Sequence, residues 1–140
     1  MAVSGCDICP EAVAEAQKIL PAGGIAVLDI TELLGITESL FDVTLSVGVL
    51  VHQHPDLVPG ILTALLVLSR TLVLVEEDGH GEVAKGPRQW GAERNTGEYI
   101  MWRIAMTDTI ARLGVSNWTT VSVPLGLQAP GAKQVWIVRK

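Results

Sequence analysis

The chain has 140 residues, with ten basic and fifteen acidic side chains and a formal net charge of −5. That length suits one domain with its own core, and the mild, scattered charge excludes a sequence-independent grip on nucleic-acid phosphate. Charged residues make up 18% of the chain and apolar ones 49%. Ordinary soluble domains carry roughly 25% charge, so part of this surface is expected to be covered, most simply by copies of the same chain.

Residues 10–20 read as a helix. Pro10 suits the first helical position, Glu11 complements the dipole, and Ala12, Val13, Ala16, Ile19 and Leu20 share one stripe. The run Pro21-Ala22-Gly23-Gly24 stops it, and residues 25–30 read as a short strand. Residues 31–40 fit neither pattern cleanly, because Gly35 interrupts a helical spacing. Over 42–51, Val43, Leu45, Val47, Val49 and Val51 alternate with Thr44, Ser46, Gly48 and Leu50, the period of a half-buried strand.

Asp56 is placed to cap a helix over 57–69 that is apolar nearly all round and therefore central. Residues 71–77 follow as a strand, and Asp78-Gly79 signals a turn into a short return arm at 82–84. Residues 57–75 hold one charge, Arg70, but Pro59, Gly60 and acidic flanks argue for a buried helix and strand rather than a membrane span. The polar stretch 85–97 reads as an exposed loop in which Trp90, between Arg88 and Arg94, is a contact residue. A strand over 98–106, a helix over 107–113 ended by Gly114, and strands over 118–123 and 134–139 complete the chain. The last two strands form a hairpin. The expected architecture is α+β: a single domain over 1–140, with a mixed or mostly antiparallel sheet packed on one central apolar helix, and an N-terminal helix.

Cys6-Asp7-Ile8-Cys9 is a C-x-x-C at a helix start, but only five residues precede it, too few for the core strand of a thioredoxin-like site. These two cysteines with His52 and His54 have zinc-ligand chemistry without finger spacing, so no metal and no cofactor is expected. Two cysteines make no disulfide scaffold, and residues 1–20 lack the pattern of an export signal. The expected location is cytoplasmic or within an assembled particle, and the sequon at Asn117 is expected to be idle. Asp29 with Glu32, and Asp42 with Glu38, read as turn and cap residues. There is no P-loop, no dinucleotide glycine fingerprint, no nucleophile elbow and no zincin motif.

The segment from His54 through Pro59-Gly60 to Leu62 resembles the motif of hot-dog-fold hydroxyacyl-thioester dehydratases. That resemblance implies a histidine ending a strand, a turn into a central helix, and His54 as the base that removes an α-proton. Thr63, Ala64 and Leu65 stand where the family carries its acid. With no finished catalytic set, the leading expectation is a non-enzymatic structural subunit of a homo-oligomeric assembly, such as a virus-particle or ring component. Its interface would use Trp90, Arg88, Arg94 and Trp102, without nucleic acid or membrane as partners. The alternative is a hot-dog dehydratase or thioesterase using His54.

Overall fold

The computed structural model describes residues 2–79, 102, 104–123 and 133–140. Its contacts divide into two compact units, residues 1–36 and 37–140.

The first unit is a strand–helix–strand motif: β1 (Ser4–Asp7), α1 (Pro10–Ile19) and β2 (Gly24–Val27). The two strands pair in parallel, with Cys6 opposite Ala26 and Asp7 opposite Val27. Parallel neighbours need a crossover, and α1 supplies it. Pro10 sits in its first turn with Glu11, and Lys18 in its last turn matches the negative end of the dipole. After β2, a 3₁₀ turn, Ile30–Leu33, opens on a capping box in which Asp29 and Glu32 satisfy each other's backbone N–H groups. The cap reading of Asp29 and Glu32 therefore holds. The strand expected over 25–30 stops early because that cap takes over the backbone.

The second unit runs β3 (Phe41–Val47), a 3₁₀ turn Leu50–His52, α2 (Val58–Leu68), β4 (Ser69–Glu77), α3 (Met106–Arg112), β5 (Trp118–Ser122) and β6 (Lys133–Arg139). The sheet order is β3-β4-β6-β5. β3 and β4 are parallel, with Leu45 opposite Val73. The β4–β6 and β6–β5 pairs are antiparallel, so the expected closing hairpin is present. Val58, Ile61, Leu62, Ala64, Leu65 and Leu68 of α2 are buried. Burying each of the Val, Ile and Leu side chains contributes about 1.5–3 kcal/mol, which outweighs the weak periodicity of a helix apolar all round. The helix passes directly into β4, where the Ser69 hydroxyl donates to the carbonyls of Leu65 and Thr71.

One sheet face is covered, with Leu72, Leu74, Glu76, Trp136 and Val138 buried on it. Met106 and Ile110 of α3 are also buried, and Trp136 Nε1 donates to Thr107 Oγ1 at 3.3 Å. In β3 it is Ser46 that is buried, while Val43, Leu45 and Val47 are more than half exposed. The apolar stripe of this strand thus lies on the open face.

Several expectations need correction here. The sheet is mixed, but two parallel strand pairs joined by helical crossovers give α/β rather than α+β character. A hot-dog fold wraps an antiparallel sheet around its helix, whereas α2 connects the parallel strands β3 and β4. That connection removes the structural premise of the dehydratase resemblance. β3 ends at Val47 instead of continuing to residue 51, because Gly48 takes φ +64 and turns the chain. Asp56 does not cap α2; Leu57 holds the N-cap position. Ile104 and Ala105 are not in a strand, and Met106 already begins α3. The return arm at 82–84 and residues 98–101 lie outside the described residues.

Candidate functional site

In an α/β architecture, ligands bind beyond the carboxyl ends of parallel strands, where loops and helix starts converge. Each unit has such an edge.

In the first unit, β1 ends on Asp7. Its Oδ1 accepts the Cys9 N–H at 2.8 Å, which fixes the carboxylate across the strand-to-helix turn. Among the described residues, the second oxygen has no hydrogen bond within the protein. Cys9 Sγ donates to Glu11 Oε2 at 3.2 Å, and that bond holds the Glu11 carboxyl below its ordinary value. Cys6 is shifted the other way: partial burial, then the charge of Asp7, pushes its thiol pKa up. This is the opposite of an activated redox thiol. Beyond β2, Asp29 Oδ1 accepts both the N–H and the hydroxyl of Thr31 at 2.8 Å. Those two bonds hold its carboxyl below the usual range.

In the second unit, the carboxyl end of β3 is built around a buried acid. Glu76 is fully buried, and its Oε1 accepts the N–H groups of Val49 at 2.9 Å and Leu50 at 3.1 Å. The Gly48 N–H donates to the Val75 carbonyl. One residue past β4, Asp78 accepts from the Met106 N–H at 3.2 Å and the Thr107 hydroxyl at 3.4 Å, anchoring the start of α3. The Trp102 N–H donates to the Val51 carbonyl at 2.7 Å, and its ring meets His54 edge-on with centroids 4.9 Å apart. His54 Nδ1 lies 3.4 Å from Asp56 Oδ2, both side chains being more than half exposed.

Of the catalytic and interface candidates singled out from sequence, the structure brings together His54 and Trp102. Trp90, Arg88 and Arg94 lie outside the described residues. Cys6 and Cys9 belong to one unit and His52 and His54 to the other, and no group of three metal-binding side chains occurs among the described residues. Among those residues no helix is long and apolar enough to cross a membrane. Asp7 went unnoticed as an acid because it sits inside a C-x-x-C that draws attention to its thiols. The available signal was a short strand ending on an acid, followed at once by a proline-started helix and a second strand ending near another acid. Glu76 was missed as well, though its parity with Leu72 and Leu74 places it on the covered face.

Solved structures share this fold along nearly the whole chain. The 1,6-didemethyltoxoflavin N1-methyltransferase of Burkholderia thailandensis, solved with S-adenosylhomocysteine, aligns with a TM-score of 0.67 at 23% identity, over 99% of this chain and 60% of its own. A SAM-dependent methyltransferase of Methanosarcina mazei gives 0.67 at 17% identity, with 99% and 82% covered. The magnesium protoporphyrin IX methyltransferase of Synechocystis PCC 6803, also with S-adenosylhomocysteine, gives 0.61 at 17%, with 99% and 64% covered. The chain therefore spans about two thirds or less of two of these three proteins. No family model matches the sequence, and no curated protein matches it.

This Rossmann-like fold overturns both functional expectations. Its neighbours are enzymes rather than shell or ring components, so the reading as a structural subunit of a virus particle or other assembly is corrected. The hot-dog dehydratase or thioesterase reading falls with it, since the strand connections are of another kind.

Proposed function

We propose that this chain forms the cofactor-binding part of an S-adenosylmethionine-dependent methyltransferase. The observation that carries the reading is the alignment of 99% of the chain with methyltransferases solved around S-adenosylhomocysteine.

The residues present fit that group on chemical grounds. An S-adenosyl nucleoside has two adjacent ribose hydroxyls, a cationic sulfonium and no phosphate. Its recognition calls for a carboxylate at a strand end, the role acids play toward ribose in dinucleotide folds, and calls for no phosphate cradle or basic patch. Asp7 has the position and the open oxygen to accept from the ribose. Asp29 is committed to Thr31 and shapes the turn beyond β2. When bound, the cofactor supplies an electrophilic methyl group for transfer to a nucleophile.

Calorimetric titration with S-adenosylhomocysteine tests this directly. The expected result is one ligand per chain and a loss of about tenfold in affinity for D7N, the scale of one charge-assisted hydrogen bond. Equal affinity for D7N and the unaltered chain would remove Asp7 from the site, and no binding by either would sink the reading.

A further inference from the structure

The sheet of the second unit ends on an unguarded edge. Among the described residues β3 has one neighbour, β4, and its other side is open. The Leu40 N–H donates to the Leu68 carbonyl and the Gly48 N–H to the Val75 carbonyl, so even-numbered positions turn their backbone groups toward β4. Strand alternation then points the amides and carbonyls of Phe41, Val43, Leu45 and Val47 outward. Edge strands are ordinarily protected by lysine, proline or a bulge. β3, with the sequence FDVTLSV, has no lysine or proline, and its register with β4 runs without a bulge. Val43, Leu45 and Val47 are more than half exposed. The other face of the strand carries a second signal: Thr44 Oγ1 and Ser46 Oγ are buried without a hydrogen-bond partner. Orphaned hydroxyls of this kind are destabilising and rare in folded proteins.

One pairing answers both features. Laid antiparallel on a second copy, about a two-fold axis at Thr44, β3 sets Phe41 opposite the partner's Val47 and Val43 opposite the partner's Leu45. These positions have the outward backbone groups, so they form the hydrogen-bonded pairs, and their side chains extend one apolar face across both copies. The even positions form the closer, non-hydrogen-bonded pairs: Thr44 meets the partner's Thr44, and Ser46 meets the partner's Asp42. Each orphaned hydroxyl thereby faces a polar side chain. The one charge of the strand, Asp42, faces a hydroxyl instead of its own copy. We propose that two copies of this chain associate through β3 in this register, joining their four-stranded sheets into one continuous sheet. The proposal uses no ligand and stands apart from the methyltransferase reading.

Sedimentation over a range of protein concentrations tests it, with the unaltered chain and Val43→Lys, which sets an ammonium group opposite the partner's Leu45. The unaltered chain should pass from the 14.9 kDa monomer to a species of twice that mass as concentration rises. V43K should dimerise at least about tenfold more weakly, since each dimer contains the change twice. Thr44→Cys gives a readout that does not depend on V43K folding. Cysteines facing each other on the two-fold axis lie within disulfide reach. Mild oxidation of T44C, in a chain with the exposed thiols removed by Cys6→Ser and Cys9→Ser, should therefore yield a covalent dimer. Thr120→Cys, in β5 at the opposite edge of the sheet, should stay monomeric under the same treatment. A monomer at every concentration would overturn the proposal. So would cross-linking through T120C in place of T44C, or open-ended association that V43K leaves unchanged.

Discussion

Asp29 shows how a single side chain sets local structure and its pH dependence. Its carboxyl is held low by the N–H of Thr31 first and the Thr31 hydroxyl second. A carboxyl whose folded pKa lies below its unfolded one stabilises the fold above the unfolded value, and that contribution disappears as pH falls through the folded value. The benefit should therefore be complete at neutral pH and fade below about pH 4. Replacing Asp29 with Ala removes the cap and should cost about 1 kcal/mol at pH 7. Thermal unfolding of both proteins near pH 7 and again near pH 2.5 checks this: the gap between them should close in acid, and a constant gap would contradict the assignment. Asp29 was legible in the sequence as a cap because capping is local. Glu76 was not, since its partners at Val49 and Leu50 become neighbours only after β3 and β4 pair.

At the scale of elements, β3 separates pattern from placement. Alternation located the strand, but alternation is symmetric and cannot say which face a helix will cover. The covered face of β3 carries Ser46, and the exposed face carries Val43, Leu45 and Val47. The consequence is measurable. Leu74 of β4 is 0% exposed and Leu45 of β3 is 63% exposed. Leu74→Ala should lower unfolding free energy by about 2–5 kcal/mol, whereas Leu45→Ala should change it by no more than about 0.5 kcal/mol. Chemical denaturation of the two variants would show the contrast, and equal losses would mean the open face is buried in the folded protein. The elements α1, α2, β4, α3 and the closing hairpin were each legible within a residue or two, since proline starts, apolar runs and β-branched stretches are local signals. The exit from β3 was not, because a glycine at positive φ and a distant carboxylate jointly end that strand.

For the molecule as a whole, the decisive feature is the direction of strand pairing. Composition and periodicity identified strands and helices, but nothing local distinguishes a strand that will pair in parallel from one that will not. The hot-dog resemblance assumed antiparallel neighbours around α2, and the β3–β4 register overturned it; the expected mixed sheet is present, and the parallel pairs shift its class from α+β to α/β. The same topology puts Asp7 at the end of β1 and Asp29 just after β2, both acids at the carboxyl edge of the first unit's parallel pair. The most direct test of this account is an NMR titration of the ¹⁵N-labelled chain with S-adenosylhomocysteine. The expected result is saturable shifts concentrated at Asp7–Cys9 and Asp29–Thr31, both in the first unit. An unperturbed spectrum, or shifts confined to the exposed face around Leu45 and Val121, would contradict it.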